Sequence, residues 1–244
     1  MATKIEWASE TWSPVTGCTR VSTGCNKCYA ERIAIGFAAS GHSSKYTRGF
    51  KVTQHPDTLN DPLHWKKPRR VFVCSMGDLF HEDVESKYIS KVFDTMRRSH
   101  VNTFVVLTKR AKRMSLWPEK WPDNVWAGVS VEADRYMHRV DNLRAVNARV
   151  RLVAFEPLLG EIAKPNLSGI HWVIVGGETA PKGARKMEKQ WVCSIQNECK
   201  EHGIPFFFTQ WGDAHNLLGP DERKIDGKYY KESPPHIGDQ ISLF

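Results

Sequence analysis

Three cysteines, Cys18, Cys25 and Cys28, lie close together in the run TGCTRVSTGCNKCYAER, with the spacing C-x6-C-x2-C. In a chain whose N-terminus, MATKIEWASETW, carries no apolar secretion signal, thiols at this density point to a metal centre rather than to disulfides. An odd set of three leaves one position open on a four-coordinate metal, or one iron uncovered on a cubane cluster. An open position is where chemistry takes place. A structural zinc ion needs a fourth ligand. No second C-x2-C pair is present, and His42 and His55 are near enough in sequence to supply one. An iron–sulfur cluster suits three thiols better. Its free iron is able to chelate the amino and carboxylate groups of S-adenosylmethionine, and a reduced cluster passes an electron to the sulfonium to release a 5′-deoxyadenosyl radical.

The remaining cysteines read as separate from this group. Cys193 and Cys199 fall in one predicted helix at a spacing that turns them to different faces. Cys74 ends a predicted strand and could approach a central site, with a packed core thiol the favoured reading. No Gly-x-Ser-x-Gly elbow, Walker loop or His-Glu-x-x-His is present, which argues against the hydrolase classes built on them.

The elements that must position the cysteines are short apolar runs followed by polar residues. VFVCS (71–75), TFVVLT (103–108), VWAGVSV (125–131), RLVAF (151–155), HWVIVG (171–176) and IPFFFTQ (204–210) suit strands covered on both faces. A seventh, short strand is expected near TWSPV, just before the first cysteine. Helical spacing appears over 86–100, 132–146 and 186–202. Strand and helix in alternation predict parallel βα units, hence an α/β fold closed as a partial or complete parallel (β/α) barrel. A doubly wound open sheet is the alternative.

In such folds the C-terminal strand ends build the site. Here they carry Ser75-Met76-Gly77-Asp78, Thr108-Lys109-Arg110, Ser130-Val131-Glu132, Phe155-Glu156-Pro157, Gly176-Gly177-Glu178 and Thr209-Gln210-Trp211. Taken singly, several of these are acceptable helix caps. As a set they predict one convergent polar site facing the cysteine loop. Glu156 and Glu178, at adjacent strand ends, are candidates for an acid–base pair.

The chain has 244 residues, 41% hydrophobic and 25% charged, with a formal net charge of +8 and a pI near 9.2. This is the composition of a water-soluble globular protein, expected in the cytoplasm. No run approaches the roughly 20 apolar residues that span a bilayer. A barrel domain is expected over 1–216 and a polar, loop-rich extension over 217–244. The basic segments KKPRR (66–70) and TKRAKR (108–113), with nine tryptophans and the positive charge, favour a nucleic acid or nucleotide as partner.

The motifs WSPVTGCTRVSTGCNKCYAER, MGDLFHE, LTKR, GVSVE, FEPLLG, VIVGGET and FFFTQWG, in that order over roughly 5–213, resemble a phage- and prophage-borne family of three-cysteine proteins related to the radical SAM superfamily. The usual superfamily loop is C-x3-C-x2-C with an aromatic residue before the last cysteine. Here the first gap is six residues and the aromatic, Tyr29, follows the last cysteine. The resemblance implies that Cys18, Cys25 and Cys28 ligate a [4Fe–4S] cluster and that S-adenosylmethionine binds beside it. It implies cofactor contacts from Ser75, Gly77 and Asp78 after the second strand. Ser130 and Glu132 would meet the ribose hydroxyls or the methionyl carboxylate region. Gly176 and Gly177 would allow close approach of the backbone to a ligand, with the Glu178 carboxylate facing the site. Lys109 and Arg110 would hold a carboxylate or phosphate. An electron donor is implied as partner. One branch of the superfamily acts on DNA bases, which makes base repair or modification an expected activity. Rival expectations are a nucleic-acid-binding protein with structural zinc and an iron–sulfur protein that binds S-adenosylmethionine or a nucleotide without radical chemistry.

Overall fold

The computed structural model describes residues 3, 5–41, 43–212 and 220–235. Seven strands form one all-parallel sheet. They are β1 (Glu10–Trp12), β4 (Arg70–Val73), β5 (Thr103–Thr108), β6 (Val125–Ser130), β7 (Arg151–Phe155), β8 (Trp172–Val175) and β9 (Phe206–Phe208), in spatial order β1-β4-β5-β6-β7-β8-β9. The sheet curls into a half-barrel. Of the two closures expected, the partial one is therefore found. Two further strands, β2 (Val15–Thr16) and β3 (Thr53–Gln54), pair antiparallel outside this sheet.

Side chains alternate across the sheet because successive residues of a strand face opposite ways. Phe104, Val106, Val153, Phe155, Val173 and Val175 face the helices in the larger core. Val105, Leu152, Ala154, Trp172 and Ile174 face the concave interior. The helices are α1 (Tyr29–Ser40), α2 (Ser86–Arg98), α3 (Ala111–Ser115), α4 (His138–Arg144) and α5 (Lys189–Glu201). In α2, buried Tyr88, Ile89, Val92, Phe93 and Met96 make one stripe, and Arg97 and Arg98 lie in the last turn, where they complement the helix dipole. The helix expected over 132–146 is shorter, a 3-10 turn at Asp134–Tyr136 followed by α4.

Indoles fill the lower interior. Trp172 meets Trp7 at 6.0 Å and Trp126 at 5.8 Å between ring centroids, and the Arg70 guanidinium lies 5.5 Å from the rings of both Trp126 and Trp172. A strap of further chain adjoins each end strand of the half-barrel. Ser9 donates to the Arg70 carbonyl beside β1. On the other side, Lys231 bridges Phe207 antiparallel, Phe208 donates to the Tyr230 carbonyl at 2.9 Å, and Trp172 Nε1 donates to the Glu232 carbonyl. Glu6 pairs with both Arg223 and Lys231 and so ties the two straps together. The expected domain boundary near 217 falls outside the described residues. Among the described residues no helix is long and apolar enough to cross a membrane.

Candidate functional site

The cysteine loop leaves the first βα unit at the C-terminal mouth of the sheet. Gly17, at φ +81°, turns the chain against Lys51 and pairs with Gly77 just beyond β4, its N–H donating to the Met76 carbonyl at 2.9 Å. The chain then passes Cys18, makes a 3-10 turn at Thr23–Cys25, and enters α1 directly after Cys28. All three thiols are unpaired and half-buried. They line a single cavity of about 220 Å³ at the strand ends. Cys74, buried and at φ +57°, lines the same cavity, so it is both a core thiol and a wall of the central site. Burial pushes the Cys74 thiol up to about 12. It also pushes Cys18 up to about 11, with Asp78 adding to the shift and Arg110 opposing it.

The cavity gathers most of the strand-end residues read from the sequence: Ser75, Gly77 and Asp78 after β4, Lys109 after β5, Ser130 at the end of β6, Glu156 after β7, and Gly177 and Glu178 after β8. Below them the wall is apolar, made by Trp7, Phe72, Leu107 and Ala154. Two residues are turned elsewhere. Gly176 lies where an added Cβ would strike Thr209 and Glu156, so its glycine serves strand packing. Gly177 lines the cavity, yet an added Cβ there would strike the Trp211 backbone. Glu132 is fully buried behind the cysteine loop and not on the cavity wall.

That position gives Glu132 a definite task. It accepts a hydrogen bond from Ser22 Oγ at 2.6 Å and pairs with Arg139 at 2.8 Å, with Lys109 Nζ at 3.7 Å. A Cβ on Gly24 would come within 2.6 Å of the Glu132 side chain, so the loop packs directly on this carboxylate. A second clamp comes from Arg110, which reaches Thr19 Oγ1 at 2.8 Å and Cys18 Sγ at 3.2 Å. A third comes from Arg185, which donates to the Thr23 carbonyl at 2.9 Å and pairs with Glu178. Tyr136 accepts from the Thr23 N–H at 3.1 Å, and buried His81 meets Thr19 Oγ1 at 2.8 Å. His81 Nδ1 accepts the Asp83 N–H, so Nε2 is the ring nitrogen that donates to Thr19. The long gap between the first two cysteines is thus a docking segment: Thr19, Ser22 and Thr23 each meet a different part of the barrel mouth. Of the clamping residues, Arg110 and Glu132 were legible as strand ends. His81 sits in the MGDLFHE motif. Arg185 carries no sequence signal.

The two candidate acid–base carboxyls have opposite environments. Burial raises the carboxyl of Glu156 above the usual range, and the Thr209 hydroxyl bond at 2.9 Å and the charge of Lys109 offset this only in part. Burial would raise Glu178 too, but the bonds from the Arg185 side chain and backbone N–H hold it below the usual range. Gln210, 7% exposed, donates through Nε2 to the Gly177 carbonyl, while its Oε1 lacks a partner at the cavity wall.

Among the described residues no three His, Cys, Asp or Glu side chains converge as ligands of one ion. His55 is engaged by Thr16 Oγ1 at 2.7 Å, and His42 lies outside the described residues. A cubane cluster makes no such demand, because each iron takes its own thiolate. Three unpaired thiols around a cavity with an orphaned amide oxygen therefore suit a cluster and a polar ligand better than one structural zinc ion.

The arginines of the basic segments are engaged within the fold, while Lys66, Lys67 and Lys112 are exposed. Arg69 pairs with Glu10 and stacks on Trp65, Arg70 donates to Ser233, Arg110 is buried, and Arg113 donates to the His81 and Val84 carbonyls. Segment 66–70 also leads into the N-terminal end of β4, away from the cavity.

The site is thus a three-thiol loop clamped over the C-terminal mouth of a parallel half-barrel. The chain belongs to the family described as protein of unknown function (DUF5131), which matches residues 2–234. No curated protein matches it. Among solved structures it is similar to spore photoproduct lyase complexed with dinucleoside spore photoproduct, at 10% identity and a TM-score of 0.47. That similarity covers 82% of this chain and 63% of the other, so the chain spans less than two thirds of the length of that neighbour.

Proposed function

We propose that the chain is a radical S-adenosylmethionine enzyme, with Cys18, Cys25 and Cys28 holding a [4Fe–4S] cluster and S-adenosylmethionine seated in the cavity below. The observation that carries this reading is the placing of three unpaired thiols on one loop, along a cavity also lined by polar strand ends. When bound, the cluster and its ligand supply a 5′-deoxyadenosyl radical.

The chain's own residues do the positioning. The apolar wall of Trp7, Phe72, Leu107 and Ala154 keeps water from the lower cavity. Gln210 Oε1 offers an acceptor for an N–H of the bound molecule. Ser75, Gly77, Asp78 and Ser130 border the space for the cofactor, with Asp78 acting through its bond to Arg110. Lys109, at the rim with its side chain 22% exposed, is placed to meet a carboxylate or phosphate. Burial shifts Glu156 toward its protonated form and Arg185 holds Glu178 toward its charged form, so of the two carboxyls Glu156 holds a proton the more tightly and Glu178 is the anion paired with arginine. A nucleotide or nucleic acid is the substrate class proposed, on the net charge of +8.

The test is iron and sulfide content with an absorption spectrum, on protein purified without oxygen. About four iron and four sulfide per chain, bleached by dithionite, is the expected result. Added S-adenosylmethionine and reductant should then yield 5′-deoxyadenosine. Colourless protein with one zinc, and no cluster after anaerobic reconstitution, overturns the reading. A loaded cluster that never yields 5′-deoxyadenosine leaves an iron–sulfur protein without radical chemistry.

A further inference from the structure

Arg110 is the residue the proposed chemistry leaves unexplained, and this inference rests on the reading that the three cysteines hold an iron–sulfur cluster. Its side chain is 3% exposed. Nη1 donates to Cys18 Sγ and to Asp78 Oδ2, each at 3.2 Å, Nε donates to Glu82 Oε2 at 2.7 Å, and Nη2 donates to Thr19 Oγ1 at 2.8 Å. Asp78 is itself fixed by the Thr108 hydroxyl at 2.7 Å and the Phe80 N–H at 3.0 Å. The guanidinium is therefore aimed from a rigid base. A buried ion pair is weak ground for stability, since apolar residues of like volume commonly serve as well. The use of this one lies in where its remaining N–H points, at a sulfur.

The contact at Cys25 is of another kind, since its sulfur lies 3.6 Å from Ser22 Oγ, whose proton goes to Glu132. A charged N–H is roughly twice as strong a donor as a neutral one. Hydrogen bonds to ligand sulfurs draw electron density from them and so raise the potential of the iron they hold. We infer that Arg110 is a positioning residue that fixes the Cys18 sulfur and sets the reduction potential of the centre bound there, making that centre easier to reduce.

The test is a redox titration followed by EPR on anaerobically reconstituted protein, wild type against Arg110→Lys. A lysine keeps the charge beside Asp78 but has no planar fork to serve Asp78, Thr19 and Cys18 together. Arg110→Lys should shift the reduction equilibrium about tenfold toward the oxidised form, a potential about 59 mV more negative for one electron. If Arg110→Lys does not fold, the wild-type protein decides the matter. With 15N-labelled arginine, pulsed EPR of the reduced cluster should show a 15N coupling that gives way to a 14N pattern with unlabelled arginine. A loaded cluster with wild-type potential in Arg110→Lys, or with no arginine coupling, overturns the inference and leaves the cluster reading intact. Wild-type protein that binds no iron overturns both, and its metal content tells the two failures apart.

Discussion

Glu156 and Glu178 sit at adjacent strand ends and shift in opposite senses, and each shift leaves a mark on stability. Glu156 has a folded pKa above its unfolded value, so its contribution is present below the unfolded pKa and is lost as pH rises through the folded one. Above the unfolded pKa the wild type carries a cost that grows as pH rises toward the folded one. Glu156→Gln keeps an acceptor for Thr209 without the charge. It should be more stable than wild type at about pH 7, with the difference closing at about pH 4, as read from urea midpoints at both. Glu178 behaves inversely. Its folded pKa lies below the unfolded value, so its stabilisation is present above the unfolded pKa and lost as pH falls through the folded one. In Arg185→Gln that acid-side loss should be largely absent, and the slope of stability with pH below the carboxylate range should flatten. Glu132→Gln should cost about 3 kcal/mol in urea unfolding, because Arg139 is left buried without its counter-charge.

At the scale of elements, glycines report where backbones meet. An added Cβ on Gly177 would run into the Trp211 carbonyl, and backbone cannot swing aside as a side chain can. Gly177→Ala should cost about 2 kcal/mol, read from urea unfolding, by pushing the β8 end from the turn after β9. The strands were legible because parallel strands buried on both faces read as unbroken apolar runs, and their polar ends marked the mouth of the barrel. Helix α2 was legible from its stripe. Helix α1 was not, because Ile33 and Ile35 face solvent and only Ala30 and Ala34 are buried, which hides the period. Helix α3 has five residues, too few to show one. The clamps on the cysteine loop were the least legible part. Ser22 meets Glu132 across 110 residues and Thr23 meets Arg185 across 162, and neither pairing leaves a local pattern. The polar strand ends predicted a site, but sequence alone could not separate Glu132, which holds the loop, from Glu156, which lines the cavity.

At the scale of the molecule, the half-barrel depends on its straps. A chain cut after Gly227 loses Lys231, the β9 bridge and the partner of Trp172 Nε1. It presents β9 as an open edge over an aromatic interior, and such edges pair with other chains. It should melt at a lower temperature and scatter light on warming, whereas the full chain should not. The fate of the arginines in the two basic segments reaches further. With Arg69, Arg70, Arg110 and Arg113 tied internally, those segments present to solvent Lys66, Lys67 and Lys112. A polyanion docking on all three would free about three condensed counterions, so the logarithm of its affinity would fall with the logarithm of salt at a slope of about −3. Binding through these segments would thus be a shallow, salt-tolerant association, and discrimination among nucleic acids would have to come from the cavity itself.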